Sequence, residues 1–508
     1  MLAQTLSATP WGVDARLVQV EVDIHNGLPQ THIVGLPDAS VRESRERVRS
    51  SIKNSGFDLP ARVVVINLAP ADLRKEGNHL DLAIALAQLA ALGHLEPQSL
   101  EGRLFCGELG LDGSVRPIRG ALAIADLAVD SGMREVLLPV ANAGEAAALG
   151  KLPVIPIASL SEAVDHLAGQ RLEPAAAPPL AEVRGSLEIP DLSQVRGQGA
   201  AKRALEVAAS GSHNLLLIGP PGSGKTMLAR RLPGLLPPLT LAESIEVTKI
   251  HSLVAEQPPS RLLAIRPFRS PHTGTSTAGM VGGGSIPRPG EASLAHGGVL
   301  FLDELPEFKR DTLEALRQPL EEGLISVVRT RARFDFPARI SLVAAMNPCP
   351  CGHRGDPRHD CRCTPPLVER YRSRISGPLL DRIDLHVEVP ALSLQELKGP
   401  PSESTETVAG RVLEAREIQR RRFGAACPTP VNAAMDPEQL RSFCVLTDEA
   451  RILLDSAFER LKLSARAVTR ILKVARTIAD LEAAKKILPT HIGEAIQYRS
   501  LDRRAGRT

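Results

Sequence analysis

Gly219-Pro220-Pro221-Gly222-Ser223-Gly224-Lys225-Thr226 fits the phosphate-loop pattern G-x-x-x-x-G-K-[ST]. Its flanks supply the context that the pattern needs. Asn214-Leu215-Leu216-Leu217-Ile218 before it is a short apolar run, suited to a buried parallel strand. Met227-Leu228-Ala229-Arg230-Arg231 after it are good helix formers. Strand, glycine loop and helix turn consecutive backbone N–H groups toward one anion, at the positive end of a helix. Lys225 is then expected to reach the β- and γ-phosphates of a nucleoside triphosphate, and Thr226 to hold Mg²⁺ through its hydroxyl. A glycine-rich turn with an incidental lysine is the alternative, and the flanks weigh against it.

Downstream, Gly298-Val299-Leu300-Phe301-Leu302-Asp303-Glu304 reads as an apolar strand that delivers two carboxylates at its C-terminal end. That edge of a parallel sheet faces the ligand crevice. Asp303 is expected to hold Mg²⁺ through water and Glu304 to polarise an attacking water. A further strand, Ile340 to Met346, ends at Asn347, a polar group placed to touch the γ-phosphate or the water.

The chain has 508 residues, enough for about three domains of ~150 residues. Charged residues make up 23% and hydrophobic ones 43%, a soluble globular composition. Net charge is only +3, so a nucleic-acid surface must be a local patch. Met1 to Pro10 lack the parts of a signal peptide, and no run of about 18 apolar residues exists, so no membrane partner is expected. Of seven cysteines, four cluster between Cys349 and Cys363, the pattern of a metal site in a reducing compartment. The expected location is the cytoplasm.

Residues 1–172 read as one α/β domain. Arg16 to Ile24 alternate as a half-buried strand, Arg62 to Leu68 form a more buried one, and Leu80 to Leu92 an Ala/Leu-rich helix closed by Gly93. Further on come a strand at 103–106, a turn at Asp112-Gly113, a helix from Ala121 to Ser131 and a strand at 136–139. The Pro/Ala stretch within 173–190 reads as a linker. Residues 191–392 carry the nucleotide motifs, and 393–508 are rich in helix formers, with amphipathic helices expected over 450–463 and 465–484.

Several stretches resemble known families. Asn347 at its strand end resembles sensor 1 of AAA+ ATPases, and Ser376 to Leu385 resemble the segment that bears their arginine finger. The resemblance assigns the finger to Arg382, reaching the nucleotide of a neighbouring subunit; a surface salt bridge to Asp381 or Asp384 is the alternative. Leu463 to Arg476 resemble the sensor 2 helix of AAA+ lids, with Ser464 as N-cap and Arg466 as the sensor; Arg470 and Arg476 are left to solvent or DNA. Gly107 to Gly120 and Lys75 to Ala83 resemble parts of Lon-protease domains. There His79 stands at the place of the catalytic serine and Leu122 at that of the lysine, so a Ser/Lys protease lacks both groups. His79 and Asp81 are expected as solvated or core-edge polar residues.

The most specific text lies between the motifs: Arg266 to His272, Val281 to Ser285, Pro287 to Gly298, Asp303 to Phe308 and Ala345 to Pro350. It resembles the YifB/ComM family of Mg-chelatase-like AAA+ proteins along nearly the whole chain. One departure is His272-Thr273, where the family commonly has two histidines. The resemblance implies a Lon-protease-like N-terminal domain, a P-loop AAA+ core and a helical lid. It also implies an ATP- and Mg²⁺-dependent hexamer acting on single-stranded and branched DNA. ComM-type members are branch-migration helicases in natural transformation, with a recombinase or other DNA-processing protein as an expected partner. A magnesium chelatase-type ATPase subunit driving metal insertion into a porphyrin is the second reading. An ATP-dependent protease and an AAA+ transcriptional activator fit less well, the latter for want of a helix-turn-helix.

Two local features remain. Cys349-Pro350-Cys351 and Cys361-Arg362-Cys363 offer four thiolates to a tetrahedral structural Zn²⁺, with His353, His359 and Asp360 as alternates. Reduced thiols without metal are the other reading. Ile325 to Phe336 read as a β-hairpin in which alternation along the chain puts Arg329, Arg331 and Arg333 on one side, where they can meet phosphates. A charged, solvated hairpin edge is the plainer alternative.

Overall fold

The computed structural model describes residues 1–75, 77–177, 189–254, 262–284, 287–329, 332–397, 399, 402–424, 427 and 429–499. Most of the expected linker, 178–188, lies outside them.

The N-terminal part holds a seven-stranded sheet. Its strands are β1 (Leu2–Trp11), β2 (Asp14–His25), β3 (Gln30–Val34), β4 (Val63–Ala69), β5 (Arg103–Phe105), β8 (Glu135–Pro139) and β9 (Val154–Ile157), in the order β3-β4-β2-β1-β5-β8-β9. Between β5 and β8 a small hairpin pairs β6 (Glu108–Leu109) with β7 (Val115–Arg116). The expected strands and helices are present within a residue or two. β1 is an addition: its alternate buried positions are Ala3, Thr5 and Ser7, small or hydroxylic residues that give little apolar signal. They are affordable inside because Thr5 donates to the Ala83 carbonyl at 3.2 Å and Ser7 to that of Phe105 at 2.7 Å.

Both faces of this sheet are covered. Val18, Val20, Val22 and Ile24 pack under the helices Ala39–Asn54 and Asp81–Ala91, while Ala8, Leu104, Val136 and Leu138 pack against the helix Ala121–Asp130 on the other side. Every residue of Asp81–Ala91 is buried, which accounts for its unbroken Ala/Leu run.

The central part is a five-stranded sheet. It comprises β10 (Leu215–Ile218), β11 (Phe268–Arg269), β12 (Val299–Leu302), β15 (Ser341–Met346) and β16 (Leu385–Glu388), ordered β11-β12-β15-β10-β16. All its pairings are parallel. Leu215 and Leu217 point into one core and Leu216 and Ile218 into the other, so the apolar run of β10 is buried on both faces. An antiparallel hairpin, β13 (Leu324–Arg329) and β14 (Ala332–Pro337), stands between β12 and β15 in the chain.

The C-terminal part is helical, with long helices Thr405–Phe423, Asp448–Leu461 and Ala465–Leu481 followed by Pro489–Gln497. Ser464 caps Ala465–Leu481 by accepting from the N–H of Ala467. The first core includes Val412, Ile471, Val474 and Ile478 beside Leu205 and Leu217, so these helices close over one face of the central sheet. None of the described helices is long and apolar enough to cross a membrane.

Candidate nucleotide site

Strand register builds the site. Ile218 pairs with Met346 and Leu302 with Ala344. The chain therefore leaves β10, β12 and β15 at one sheet edge and delivers Gly219, Asp303 and Asn347 side by side. A Cβ on Gly219 would lie 2.0 Å from the carbonyl oxygen of Val389, so only glycine fits this crossing. Gly222 and Gly224 hold φ of +72° and +92°, which wraps the loop. The helix that follows, Lys225–Ala229, is one short turn-rich piece, and a second, Leu232–Leu235, carries on past Arg230-Arg231.

The side chains converge. Thr226 Oγ1 donates to Asp303 Oδ2 at 2.8 Å, across 77 residues of sequence. Lys225 Nζ donates to the carbonyls of Gly219 at 2.7 Å and Pro220 at 2.9 Å, and to Asn347 Oδ1 at 3.3 Å. Burial pulls the Lys225 ammonium below its ordinary pKa, against the field of Asp303 and Glu304. Glu304 is exposed and its backbone is left-handed, φ +52°, with its N–H donating to Asp303 Oδ1 at 2.9 Å. Such a backbone is costly for a residue other than glycine. The Ser223 hydroxyl is buried with no partner. This donor set fits a magnesium-bound triphosphate: an ammonium, loop N–H groups and a free hydroxyl for anionic oxygens, with Thr226 and Asp303 for the ion.

The four clustered cysteines also converge. Cys349 and Cys351 sulfurs lie 3.4 Å apart, and both lie 3.7 Å from that of Cys361. With Cys363 all four fall within 4.8 Å of one another. Sulfurs at ~2.3 Å from one tetrahedral ion lie roughly 3.8 Å apart, so the set fits Zn²⁺. The backbone N–H of His353 draws the Cys351 thiol down to about 6, toward thiolate, while burial pushes Cys349 up to about 12. The cluster abuts the phosphate loop: a Cβ on Gly352 would lie 2.7 Å from Pro221 Cδ and 3.9 Å from Asn347.

Comparison with known proteins settles the family. Magnesium chelatase, subunit ChlI, matches residues 191–397; further ChlI regions match 20–142 and, as its C-terminal part, 402–499. The uncharacterized protein YifB of Salmonella typhimurium is 47% identical over 499 residues, 97% of this chain and 96% of its own. The competence protein ComM of Haemophilus influenzae is 44% identical over 507 residues, 99% of this chain and 98% of its own. The chain belongs to the YifB/ComM family of Mg-chelatase-like AAA+ proteins. An archaeal Lon protease of Methanothermobacter thermautotrophicus is 25% identical over 130 residues, covering 25% of this chain and 20% of its own.

In this YifB/ComM chain the other expected residues are placed as follows. Arg382 is buried; its guanidinium pairs with Glu321 and donates to the Pro378 carbonyl. The expected alternative partners Asp381 and Asp384 do not hold it. Asp381 lies 3.8 Å from Arg466, which is otherwise exposed at the start of its helix. Asp384 is buried; burial alone would raise it, but Arg470, at 3.0 Å, and His213 hold it down at about 2. Arg476 is buried too, donating to Asp480 at 3.1 Å and the Lys485 carbonyl at 3.0 Å, so it serves neither solvent nor DNA. His79 and Asp81 are likewise interior rather than solvated. Burial drives the His79 imidazole down to about 4, and Asp81 accepts from Ser44 and Arg47. Leu122 is fully buried.

The hairpin departs from simple alternation. Arg333 pairs with Val328 and Arg329 with Ala332, because the chain reverses between them. Alternation along a single strand does not apply across a turn, and the two arginine positions fall on opposite faces of the ribbon. Arg331 lies outside the described residues. Arg333 is exposed and bonds Asp335 at 2.9 Å and Ser326 at 2.9 Å.

Two positioning residues escaped the sequence reading. Asn214 ties three strands together: its amide donates to the Arg382 carbonyl at 2.9 Å and accepts from Leu342 N–H at 2.9 Å, and its own carbonyl accepts from Leu385 at 3.0 Å. Gln198, with φ +55°, donates to the carbonyls of Ser223 at 3.2 Å and Pro390 at 2.7 Å, bracing the phosphate loop against the end of β16. Neutral amides carry no spacing signal; only the Gly197-Gln198 pair ahead of a helix hinted at a special backbone.

Proposed function

We propose that this protein is an ATP-hydrolysing DNA motor that works as a hexameric ring and drives branch migration of recombining DNA. The observation that carries the reading is the Thr226–Asp303 bond, with Lys225, Asn347 and Glu304 around it. Full-length likeness to a competence protein supports DNA as the substrate.

The phosphate loop and Lys225 bind the triphosphate, and Thr226 and Asp303 would hold Mg²⁺, which would supply charge neutralisation. Glu304 takes a proton from the attacking water, and Asn347 orients that water. Arg382 and Arg466 complete the site of a neighbouring subunit and its lid, Arg382 leaving Glu321 when subunits pack. Its guanidinium is held by Glu321 and the Pro378 carbonyl, which suits a group kept for action in trans. Cys349, Cys351, Cys361 and Cys363 hold a structural Zn²⁺ that braces Gly352 against Pro221. The N-terminal α/β unit is a Lon-like scaffold without protease chemistry, since His79 and Leu122 offer neither hydroxyl nor amine.

A magnesium chelatase-type ATPase subunit is the second reading, favoured by the ChlI matches. The two part on a direct comparison: ATP turnover measured with forked DNA and with a porphyrin-binding partner subunit. Stimulation by DNA alone supports the motor; stimulation by the porphyrin partner alone overturns it.

A further inference from the structure

The loop between the two cysteine pairs, residues 352–360, carries a second constellation. His353, Asp356 and His359 recur at every third position, and one ligand atom from each falls within 4.8 Å of the others. The carboxylate of Asp356 is the hub, only 2% exposed. Its two oxygens are used differently. Oδ1 accepts from the backbone N–H of Arg358 at 3.0 Å and from Arg358 Nε at 3.3 Å. Oδ2 faces His359 Nδ1 at 3.3 Å and His353 Nδ1 at 3.8 Å. The two imidazoles stand beside each other, centroids 4.8 Å apart and planes 33° apart.

A plain hydrogen-bonded triad does not account for His353. Its Nδ1 is buried and has no hydrogen-bond partner, and it lies 3.8 Å from the Asp356 carboxylate, beyond bonding distance. A buried ring nitrogen left unsatisfied calls for a missing partner. Ligand atoms ~2.0–2.2 Å from one tetrahedral ion lie roughly 3.3–3.6 Å apart, close to the two separations observed. Arg358 meanwhile fixes the carboxylate by its other oxygen, as groups behind metal ligands do.

We propose that His353, Asp356 and His359 form a second site for a divalent transition-metal ion, distinct from the four-cysteine site. Two imidazoles and one carboxylate select Zn²⁺ or a similar borderline ion over Ca²⁺ or Mg²⁺. Three protein ligands leave a coordination position open, and His359 is exposed enough to place it at the surface. Gly352, at the head of this loop, abuts Pro221, so an ion here stiffens the segment on which the phosphate loop rests.

The test uses untagged full-length protein, stripped of metal and titrated with Co²⁺ under reducing conditions. Thiolate ligation gives an intense sulfur-to-cobalt charge-transfer band, and a site of nitrogen and oxygen gives only weak ligand-field bands. Two equivalents are expected, one without charge transfer. His353→Gln/His359→Gln should lose that equivalent and keep the thiolate band; Asp356→Asn, which keeps an acceptor for Arg358, should do the same. Cys361→Ser/Cys363→Ser should lose the thiolate band and keep the other equivalent. A wild-type protein that binds one equivalent, with full thiolate character, overturns the proposal. So does an undiminished second equivalent in the histidine variant. Binding only at the nitrogen and oxygen site supports the proposal and instead removes zinc from the cysteines.

Discussion

The indole of Trp11 packs on the ring of Phe334, centroids 4.7 Å apart and planes 37° apart. Trp11 ends β1 of the N-terminal sheet, and Phe334 lies in β14 of the arginine hairpin. The turn after Trp11 adds to the contact: Gly12 approaches Phe334, and Val13 packs against the same core as Phe336. The N-terminal unit thus touches the hairpin whose arginines are expected to meet phosphate. Trp11 is the chain's single tryptophan, so its fluorescence reports this contact alone. DNA with ATP is expected to shift that emission. Trp11→Ala should weaken DNA stimulation of ATP turnover severalfold, since an aromatic pair contributes ~1 kcal/mol, with basal turnover within twofold. Unchanged emission and stimulation together would refute the coupling.

The proposed sharing of the site between subunits predicts complementation. Lys225→Ala and Arg382→Ala should each be nearly inactive alone. Mixed, they should recover part of the wild-type ATP turnover, because some interfaces then combine an intact loop with an intact arginine. No recovery in mixed rings, shown by sizing to have exchanged subunits, speaks against Arg382 acting in trans.

Arg333 is exposed on the hairpin beside Asp335 and Ser326, and in the proposed motor it meets a phosphate. Arg333→Glu should raise the Kd for forked DNA and lower the salt dependence of binding by about one phosphate contact, without changing ATP binding. An unaltered salt slope would remove Arg333 from the interface.

Glu145 makes a pH-dependent contribution in the N-terminal unit. Burial pushes its carboxyl up to about 7, and Asn142, at 2.9 Å from Oε1, offsets this only in part. The unfolded chain ionises near 4.5, so the folded state holds the proton over a higher range. Stability is therefore lost as pH rises from about 4.5 to about 7, then levels off, at a cost on the order of 3 kcal/mol. Glu145→Gln should raise the unfolding temperature at pH 8 and leave it nearly unchanged at pH 4. Equal effects at both pH values would contradict this account.

Much of the candidate nucleotide site was legible because its parts announce themselves locally. Glycine at Gly219, Gly222 and Gly224, the ammonium of Lys225 and the acids ending β12 each have a spacing or a run that only one local structure satisfies. The strand β1 was hidden because its buried face is made of alanine, threonine and serine, satisfied by hydrogen bonds rather than by apolar bulk. The burial of Arg476 is not legible, because the periodicity of an amphipathic helix does not reveal a buried guanidinium paired with Asp480 one turn on. The faces of the hairpin arginines are not legible either, because the position of the turn, not the alternation, sets which face each position takes. Asn214 and Gln198 act through backbone carbonyls brought from distant segments, and no local pattern records such partners.

ATP hydrolysis at this site is proposed to move DNA junctions. The most direct measurement is ATP-dependent branch migration of a Holliday junction with homologous arms, followed by strand exchange on a gel, with Glu304→Gln alongside. Product is expected with wild-type protein and ATP, none without ATP, and a loss of at least about a hundredfold in rate with Glu304→Gln, which still binds ATP. Brisk ATP turnover with an unmoved junction, or migration undiminished in Glu304→Gln, would contradict it.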